Sequence, residues 1–414
     1  SCSALDQLAD LVRAHVHSRL DQVTFANSGA ESNEKALHLA RQNGRGGHRL
    51  LAMKGSFHGR TLLPLHGTWN PVKRGPFEFA GFEASWAEFP RHLVPEIEPD
   101  LPEGWVKAWH SGEGWADVSG DTLLAAEIEI LHGINAALES SPIFAVITEV
   151  MQGEGGDNYA TRRFFCALLA ICRRYDVPLV VDEVQTGFGL GGPLFWHTGL
   201  NLVDAEGASD APDAVTVAKK AQLGVVVSRF QDHEPTEVSS ASAVRGLAQA
   251  RIALSTDHDQ IAAYAESSLR GLAKALPEGL VTNVRGQGLA WGIDLPSGAV
   301  VNRLLSERFW RGYLTYIAGA QTLRFRLSPA MTAATWQGVV DALESNLKEL
   351  IDQVGWDGPE AFAQSVAELA PATWTASGEA YRPGFGLAQG YRLEPLTPQF
   401  LEAHMDRVLE LEAQ

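Results

Sequence analysis

Apolar residues recur along this chain with two periods, helical and strand-like, and the order of the two divides it. At the start Leu5, Leu8, Leu11 and Val12 fall at helical spacing, which predicts an amphipathic helix over residues 4–19. "QVTFANSG" reads as a short buried strand running into a turn, and "AESNEKALHLARQ" as a helix with Ala36, Leu37 and Ala40 on one face. "HRLLAMKG" is a strand, followed by the loop "SFHGRT". "LLAAEIEILHGINAAL" and "TRRFFCALLAICRRYD" predict helices, and "IFAVITEV", "VPLVVDEV" and "PDAVTVA" predict strands. Strands alternating with helices to about residue 255 predict a parallel sheet with helices on both faces. Residues 66–120 are rich in Trp, Pro and Gly and weakly periodic; they are expected to be surface loop near the mouth of a site.

From about residue 256 the pattern changes. A helix (256–276) precedes "GLVTNVRGQGLAWGIDLP", which alternates as antiparallel strands do. "AVVNRLLSERFWRG" reads as a helix, "TLRFRLSP" as a strand and "TWQGVVDALESNLKELIDQV" as a final helix. The expected organisation is α/β. It has a large domain over 1–255 with a mainly parallel sheet, a smaller α+β domain over 256–354, and a Gly-, Pro-, Ala- and Ser-rich linker over 355–390. The start of a further domain is expected over 391–414. There "GYRLEPL" reads as a strand and "TPQFLEAHMDRVLELEAQ" as a helix with Thr397 as N-cap and Pro398 at N1. One strand and one helix cannot bury themselves. The chain also opens without Met, directly into a helical pattern. Both ends are therefore expected to be cut from a longer polypeptide.

Composition narrows the function classes. The 414 residues are too many for one ordinary core. The 45% hydrophobic and 20% charged content reads as soluble and globular. A net charge of −17 and the lack of a Lys/Arg-rich run argue against nucleic acid and anionic membrane surfaces as partners. There is no apolar run of membrane-spanning length and no signal-peptide pattern. Cys2, Cys166 and Cys172 form no CxxC pair, which suits a reducing cytoplasm. Cys166 and Cys172 lie six apart on a helix, face different sides, and read as buried filler.

In a parallel α/β sheet, ligands collect at the carboxyl ends of the strands, and several polar groups fall there. Ser28, Gly29 and Ala30 open a helix after a strand. They read either as an ordinary N-cap or as a phosphate seat of free N–H groups. Asp182 closes the strand in "VVDEVQTGFG" and reads as a ligand-facing acid or a turn acid. Glu149 and Glu154 share a rim, but with no HxH or HExxH motif no metal is expected. Lys219 and Lys220 end the next strand. They read as two snorkelling lysines, or as one that forms a Schiff base with an aldehyde. Phosphate seat, acid and lysine in that order are what pyridoxal 5′-phosphate (PLP) requires.

At these residues the sequence resembles the class III (ω-) aminotransferases of the fold-type I PLP enzymes, over roughly residues 5–352. The resemblance is carried by "FANSGAESNEKALHLAR", "SFHGRT", "QGEGGD", "VVDEVQTGFG", "PDAVTVAKKAQLG" and "LRFRLSP". Within the class, the doubled lysine, Gln222 and "RFR" are most similar to lysine 6-aminotransferases, with 4-aminobutyrate aminotransferases next.

The resemblance implies a role for each matching residue. Lys219 forms the Schiff base, and Asp182 salt-bridges the pyridine N–H. Val184 packs under the ring, Phe57 stacks on its other face, and Gln185 bonds the phenolic oxygen. Ser28, Gly29 and Ala30 hold the phosphate. Arg60 binds a substrate carboxylate. Arg324 binds the carboxylate of 2-oxoglutarate and pairs with Glu154, which swings aside when that acceptor enters; Glu149 supports the site from behind. The implied reaction moves a terminal amino group of a diamino or ω-amino acid, lysine-like above all, to 2-oxoglutarate, in a cytoplasmic homodimer.

The chain departs from the family pattern in two places. The family's N-terminal stretch is absent. "VSSASAV" stands where a Thr and an aromatic-Gly-Gly-Asn run are usual; Ser239 or Ser240 can stand in for the hydroxyl that the family lends to a neighbouring subunit's phosphate, but the Gly-Gly-Asn is gone. These departures leave a catalytically impaired partner protein as one alternative. An aminomutase or racemase on the same fold is another, although neither needs an Arg/Glu pair. The segment 391–414 also resembles the opening strand and helix of GNAT-type acetyltransferases.

Overall fold

A computed structural model describes residues 3–78, 83–93, 98–118, 120–309 and 311–369. Seven strands build the main sheet: β1 (Gln22–Ala26), β2 (Arg49–Met53), β3 (Glu83–Ala87), β4 (Ile143–Glu149), β5 (Leu179–Glu183), β6 (Ala214–Val217) and β7 (Gly224–Ser228). Their order is β1-β7-β6-β5-β4-β2-β3. The run from β3 to β6 is parallel, and β7 is antiparallel to both β6 and β1. Every residue of β4, β5 and β6 is buried. This is why they read as unbroken apolar runs: both faces are covered. Leu50, Ala52, Ile147 and Val180 pack with Ala36, Leu37 and Ala40 of the helix Gly29–Asn43. Their sequence neighbours Leu51, Val146 and Val181 join the larger core, which includes residues of the helices Thr122–Ser140 and Arg162–Arg174. The α/β class expected from the sequence is the observed one.

A second, antiparallel sheet follows, with β8 (Thr282–Gln287), β9 (Ala290–Asp294), β10 (Tyr316–Ala318) and β11 (Thr322–Arg326) in the order β8-β9-β11-β10. The helices His258–Ala275, Gly298–Glu307 and Ala333–Val354 accompany it. No helix among the described residues is long and apolar enough to cross a membrane.

Three expectations change. The opening helix stops at Arg13, not at residue 19; it starts on a capping box in which Ser3 and Asp6 satisfy each other's backbone. Residues 66–120 are not all surface loop. They include β3 and the helix Trp105–Ser111, whose Trp105 and Trp109 are buried and meet edge-to-face at 5.7 Å. A seven-residue helix is too short to display a period, so the aromatic content was its only trace. Residues 355–390 begin with the helix Pro359–Glu368, which buries Phe362 and Val366. Residues 391–414 lie outside the described residues, as does Cys2. Cys166 and Cys172 are buried, and burial pushes both thiols up.

Candidate functional site

The parallel register sets Glu149 of β4 beside Asp182 of β5, and Asp182 beside Thr216 of β6. These strand ends and the loop after β2 open on the same edge of the sheet. Asp182 is 4% exposed and tightly held. One oxygen accepts from the Val184 N–H at 2.8 Å; the other accepts from Asn33 Nδ2 at 2.7 Å and meets His58 Nδ1 at 2.7 Å. Asn33 is fixed in turn, donating to the His58 carbonyl at 2.8 Å and accepting from Thr216 Oγ1 at 2.5 Å. A charge this deep is tolerable only with such a shell of donors. Period-2 alternation sends the neighbouring Glu183 the other way, onto the Trp196 N–H and His197. Glu149 is pushed well above the ordinary glutamate range, by burial first and then by the charge of Asp182. Asn33 and His58 were not singled out from the sequence, although both lie inside the segments that carry the family resemblance.

The turn after β1 is a helix N-cap, the first of the two readings its sequence allowed. Ser28 is the N-cap of the helix Gly29–Asn43, its hydroxyl accepting from the Glu31 N–H at 3.2 Å. The N–H groups of Gly29 and Ala30 lie in the first turn, where a helix has no internal acceptors and its dipole favours an anion. Gly29 is required here: a Cβ would lie 2.5 Å from Val184 Cγ1 and 3.2 Å from Ala218 Cβ. The helix N-terminus is thus pressed against the residue after Asp182–Glu183 and the residue before Lys219. Asn27 Nδ2 donates to the Glu237 carbonyl at 3.2 Å, which brings the chain leading to Ser239 and Ser240 beside the same turn. Both serines are exposed, and Ser239 is the N-cap residue of the helix Ser240–Ser255.

The paired lysines are not on an extended segment. The chain leaves β6 at Ala218 and enters a single 3-10 turn, Lys219–Ala221. Lys219 has a φ of +49°, a left-handed conformation that costs a non-glycine residue ~1–3 kcal/mol and marks functional sites. The period-2 alternation of β6 therefore ends before the pair, and a turn takes its place. Separation is achieved all the same. Lys219 remains open to water from the cleft, yet enough protein surrounds its amine to pull the pKa down, against the attraction of Asp182 and Glu149. Lys220 Nζ is buried without a hydrogen-bond partner among the described residues; burial, then Arg326, push it down to about 8.

Glu154 sits on the short helix Gly153–Gly156, stapled by Arg285, which donates to the Asp157 and Gly156 carbonyls at 3.1 and 2.6 Å. One Glu154 oxygen accepts from Arg324 Nη2 of β11 at 3.0 Å, the other from Lys73 Nζ at 2.6 Å. Burial pushes the Glu154 carboxyl up, but the two cations outweigh it and hold it below the ordinary range. Arg324 Nη1 is buried with no partner among the described residues. Two residues further along β11, Arg326 forms a bidentate pair with Asp157 at 2.6 and 2.9 Å and donates to Gln185 Oε1 at 2.8 Å. Phe57 is half-buried, its N–H 3.4 Å from Glu149 Oε2. Arg60 is exposed and makes no hydrogen bond or ion pair among the described residues.

These groups fit PLP. The free N–H pair can take a phosphate, Asp182 can hold a protonated ring nitrogen, and the amine of Lys219 can condense with an aldehyde. Because Arg326 occupies the oxygen of Gln185, the amide NH₂ is left to donate to a phenolic oxygen.

Comparison with known proteins agrees. The sequence pattern of the family "Aminotransferase class-III" matches residues 2–347. The chain is 28% identical to L-lysine-epsilon aminotransferase of Mycobacterium tuberculosis over 359 residues, covering 79% of this chain and 73% of that protein. It is 30% identical to acetylornithine aminotransferase of Bacillus subtilis over 363 residues, with 84% and 80% covered. Among solved structures it is similar to the lysine aminotransferase of M. tuberculosis in the internal aldimine form, with a TM-score of 0.67, 25% identity, and 84% and 80% of the two chains covered.

Proposed function

Because the chain belongs to the class III aminotransferases, which depend on PLP, we propose that it moves the terminal amino group of a diamino or ω-amino acid, lysine foremost, to 2-oxoglutarate, giving a semialdehyde and glutamate. The Arg324–Glu154 pair carries this reading. A keto diacid needs a guanidinium for the carboxylate beside its reacting carbon. A donor reacting at a terminal CH₂–NH₂ has no carboxylate there and needs that guanidinium neutralised. An exchangeable ion pair serves both, and an aminomutase or racemase has no use for it. The relatives named for lysine and acetylornithine support a donor that reacts at an amine remote from its α-carbon.

Bound at this edge, PLP supplies an electron sink and a carrier for the amino group. The chain's own residues do the rest. Asp182, clamped by Asn33, His58 and the Val184 N–H, keeps negative charge at the ring nitrogen. Val184 and Phe57 flank the ring, Gln185 donates to its phenolic oxygen, and Ser28, Gly29 and Ala30 hold the phosphate. Lys219, with its lowered pKa, is the amine that can take the proton from the amine-bearing carbon of the donor and return it. Arg324 receives the α-carboxylate of 2-oxoglutarate once Glu154 releases it. Arg60, exposed and without a partner among the described residues, binds the distant carboxylate. Ser239 and Ser240, exposed beside Asn27, face a second copy in a homodimer.

The test is glutamate formation from 2-oxoglutarate with lysine, ornithine or 4-aminobutyrate as donor. Lysine should give the highest kcat/KM, with a margin over ornithine of roughly 10- to 100-fold, the discrimination one methylene supports. Isomerisation of an amino acid without keto acid, or no glutamate from any donor, would overturn the reading.

A further inference from the structure

The segment after "SFHGRT" carries a lysine that no motif pointed to. Asn70 caps the short helix Pro71–Arg74, and its third residue, Lys73, reaches across to the site. Lys73 Nζ lies 2.6 Å from Glu154 Oε2 and 5.0 Å from the centroid of the Phe57 ring. Glu154 therefore bridges two cations, one oxygen to each, from parts of the chain far apart in sequence. The pairs differ in exposure: Arg324 is 10% exposed at its side chain, Lys73 38% and Glu154 33%.

We propose that Lys73 is a positioning residue for the acceptor half-reaction: it is the second seat of Glu154, holding that carboxylate when it leaves Arg324 for the incoming keto diacid. This rests on the Arg324–Glu154 exchange proposed above. A carboxylate two-thirds buried cannot be released into nothing, because an unpaired charge there is costly. Lys73 supplies the compensation in advance. It already shares Glu154 in the closed arrangement, so release of Arg324 is a shift of charge toward a bond that exists. Sharing also weakens the hold of Glu154 on Arg324, so a diacid displaces a divided pair. Contact with Phe57 places the lysine against a ring that flanks the cofactor, so its ammonium is held from two sides.

The test is equilibrium binding of glutarate, an unreactive diacid of the same length as 2-oxoglutarate, to the PLP-loaded enzyme by calorimetry. Lys73→Met should weaken glutarate binding about two- to five-fold, the scale of a half-exposed ion pair, and raise the KM for 2-oxoglutarate more than that for the amine donor. Lys73→Arg should restore both. In a Glu154→Ala background Lys73→Met should have little effect. Unaltered glutarate affinity in Lys73→Met would overturn the proposal. So would an equal loss in the Glu154→Ala background, which would mean that Lys73 acts on the diacid as a general positive field. If Glu154→Ala alone leaves glutarate and donor binding as in the wild type, the exchange itself fails and the proposal falls with it.

Discussion

Asp182 and Glu154 are two carboxylates of one site, held in opposite ways. Asp182 lies at the end of a strand in the middle of a sheet, its oxygens taken up by the Val184 N–H, Asn33 and His58. None of these can leave without stranding a buried charge. Glu154 sits on a four-residue helix at the rim, a third exposed, between two cations. One of them, Arg324, keeps a buried nitrogen with no partner among the described residues. The first arrangement holds a charge still, and the second suits the exchange proposed for Glu154. The difference lies in the supporting elements: five parallel strands behind one, a loop stapled by Arg285 and Arg326 behind the other.

Substitutions at both carboxylates and their neighbours test this difference. The largest effect is expected at the lysine both carboxylates face. Lys219→Ala should lower the transamination rate on the order of 10²–10⁴-fold, whereas Lys220→Ala, whose amine faces Arg326 and His258, should stay within a few-fold. Borohydride reduction followed by peptide mass mapping should find PLP on Lys219; a label on Lys220 would reverse the assignment. Next, Asp182→Asn keeps the shape but removes the charge. It should slow both half-reactions by similar factors, roughly 10²–10³-fold, while Glu154→Gln should affect the two unequally. Equal loss in both variants, measured by single-turnover kinetics, would erase the distinction between a fixed and an exchangeable carboxylate.

The smallest effect concerns Glu149, which lies behind the site. Its pKa is raised in the folded chain, so its contribution to stability is fully present below the ordinary glutamate pKa of about 4.3 and is lost as pH rises toward the folded value. Glutamine mimics the protonated acid and does not titrate. Glu149→Gln should therefore match the wild type at acid pH and gain in Tm toward neutrality, by about 2–4 °C per kcal/mol. A Tm difference that moves the other way with pH would contradict the assigned shift.

What could be read from the sequence follows the same division. β4 and β5 declared themselves because burial on both faces demands unbroken apolar runs, and the residues at their ends came with them: Asp182, Glu149 and, one strand on, the lysine pair. The partners that hold Asp182 were hidden. Asn33 sits on the buried face of its helix, in line with Ala36, Leu37 and Ala40, and His58 in a loop; their function depends on three segments meeting, which no local period records. Lys73 was hidden more deeply, in a stretch whose two short helices show no periodicity. β7 was missed because "LGVVVSRF" follows the lysine turn after a few residues, too soon for a separate element to stand out. The choice between Lys219 and Lys220 rested on the family motif alone. A left-handed residue at the strand end, invisible in composition, is what turns the two amines apart.

A terminal amine, and no other, is expected to pass to 2-oxoglutarate. The most direct measurement gives the PLP-loaded enzyme 2-oxoglutarate and lysine carrying heavy nitrogen either at the ε-amine or at the α-amine, and reads the glutamate by mass spectrometry. Heavy glutamate from the ε-labelled donor and light glutamate from the α-labelled one is the expected result. Heavy glutamate from the α-labelled donor, or none from either, would contradict the account.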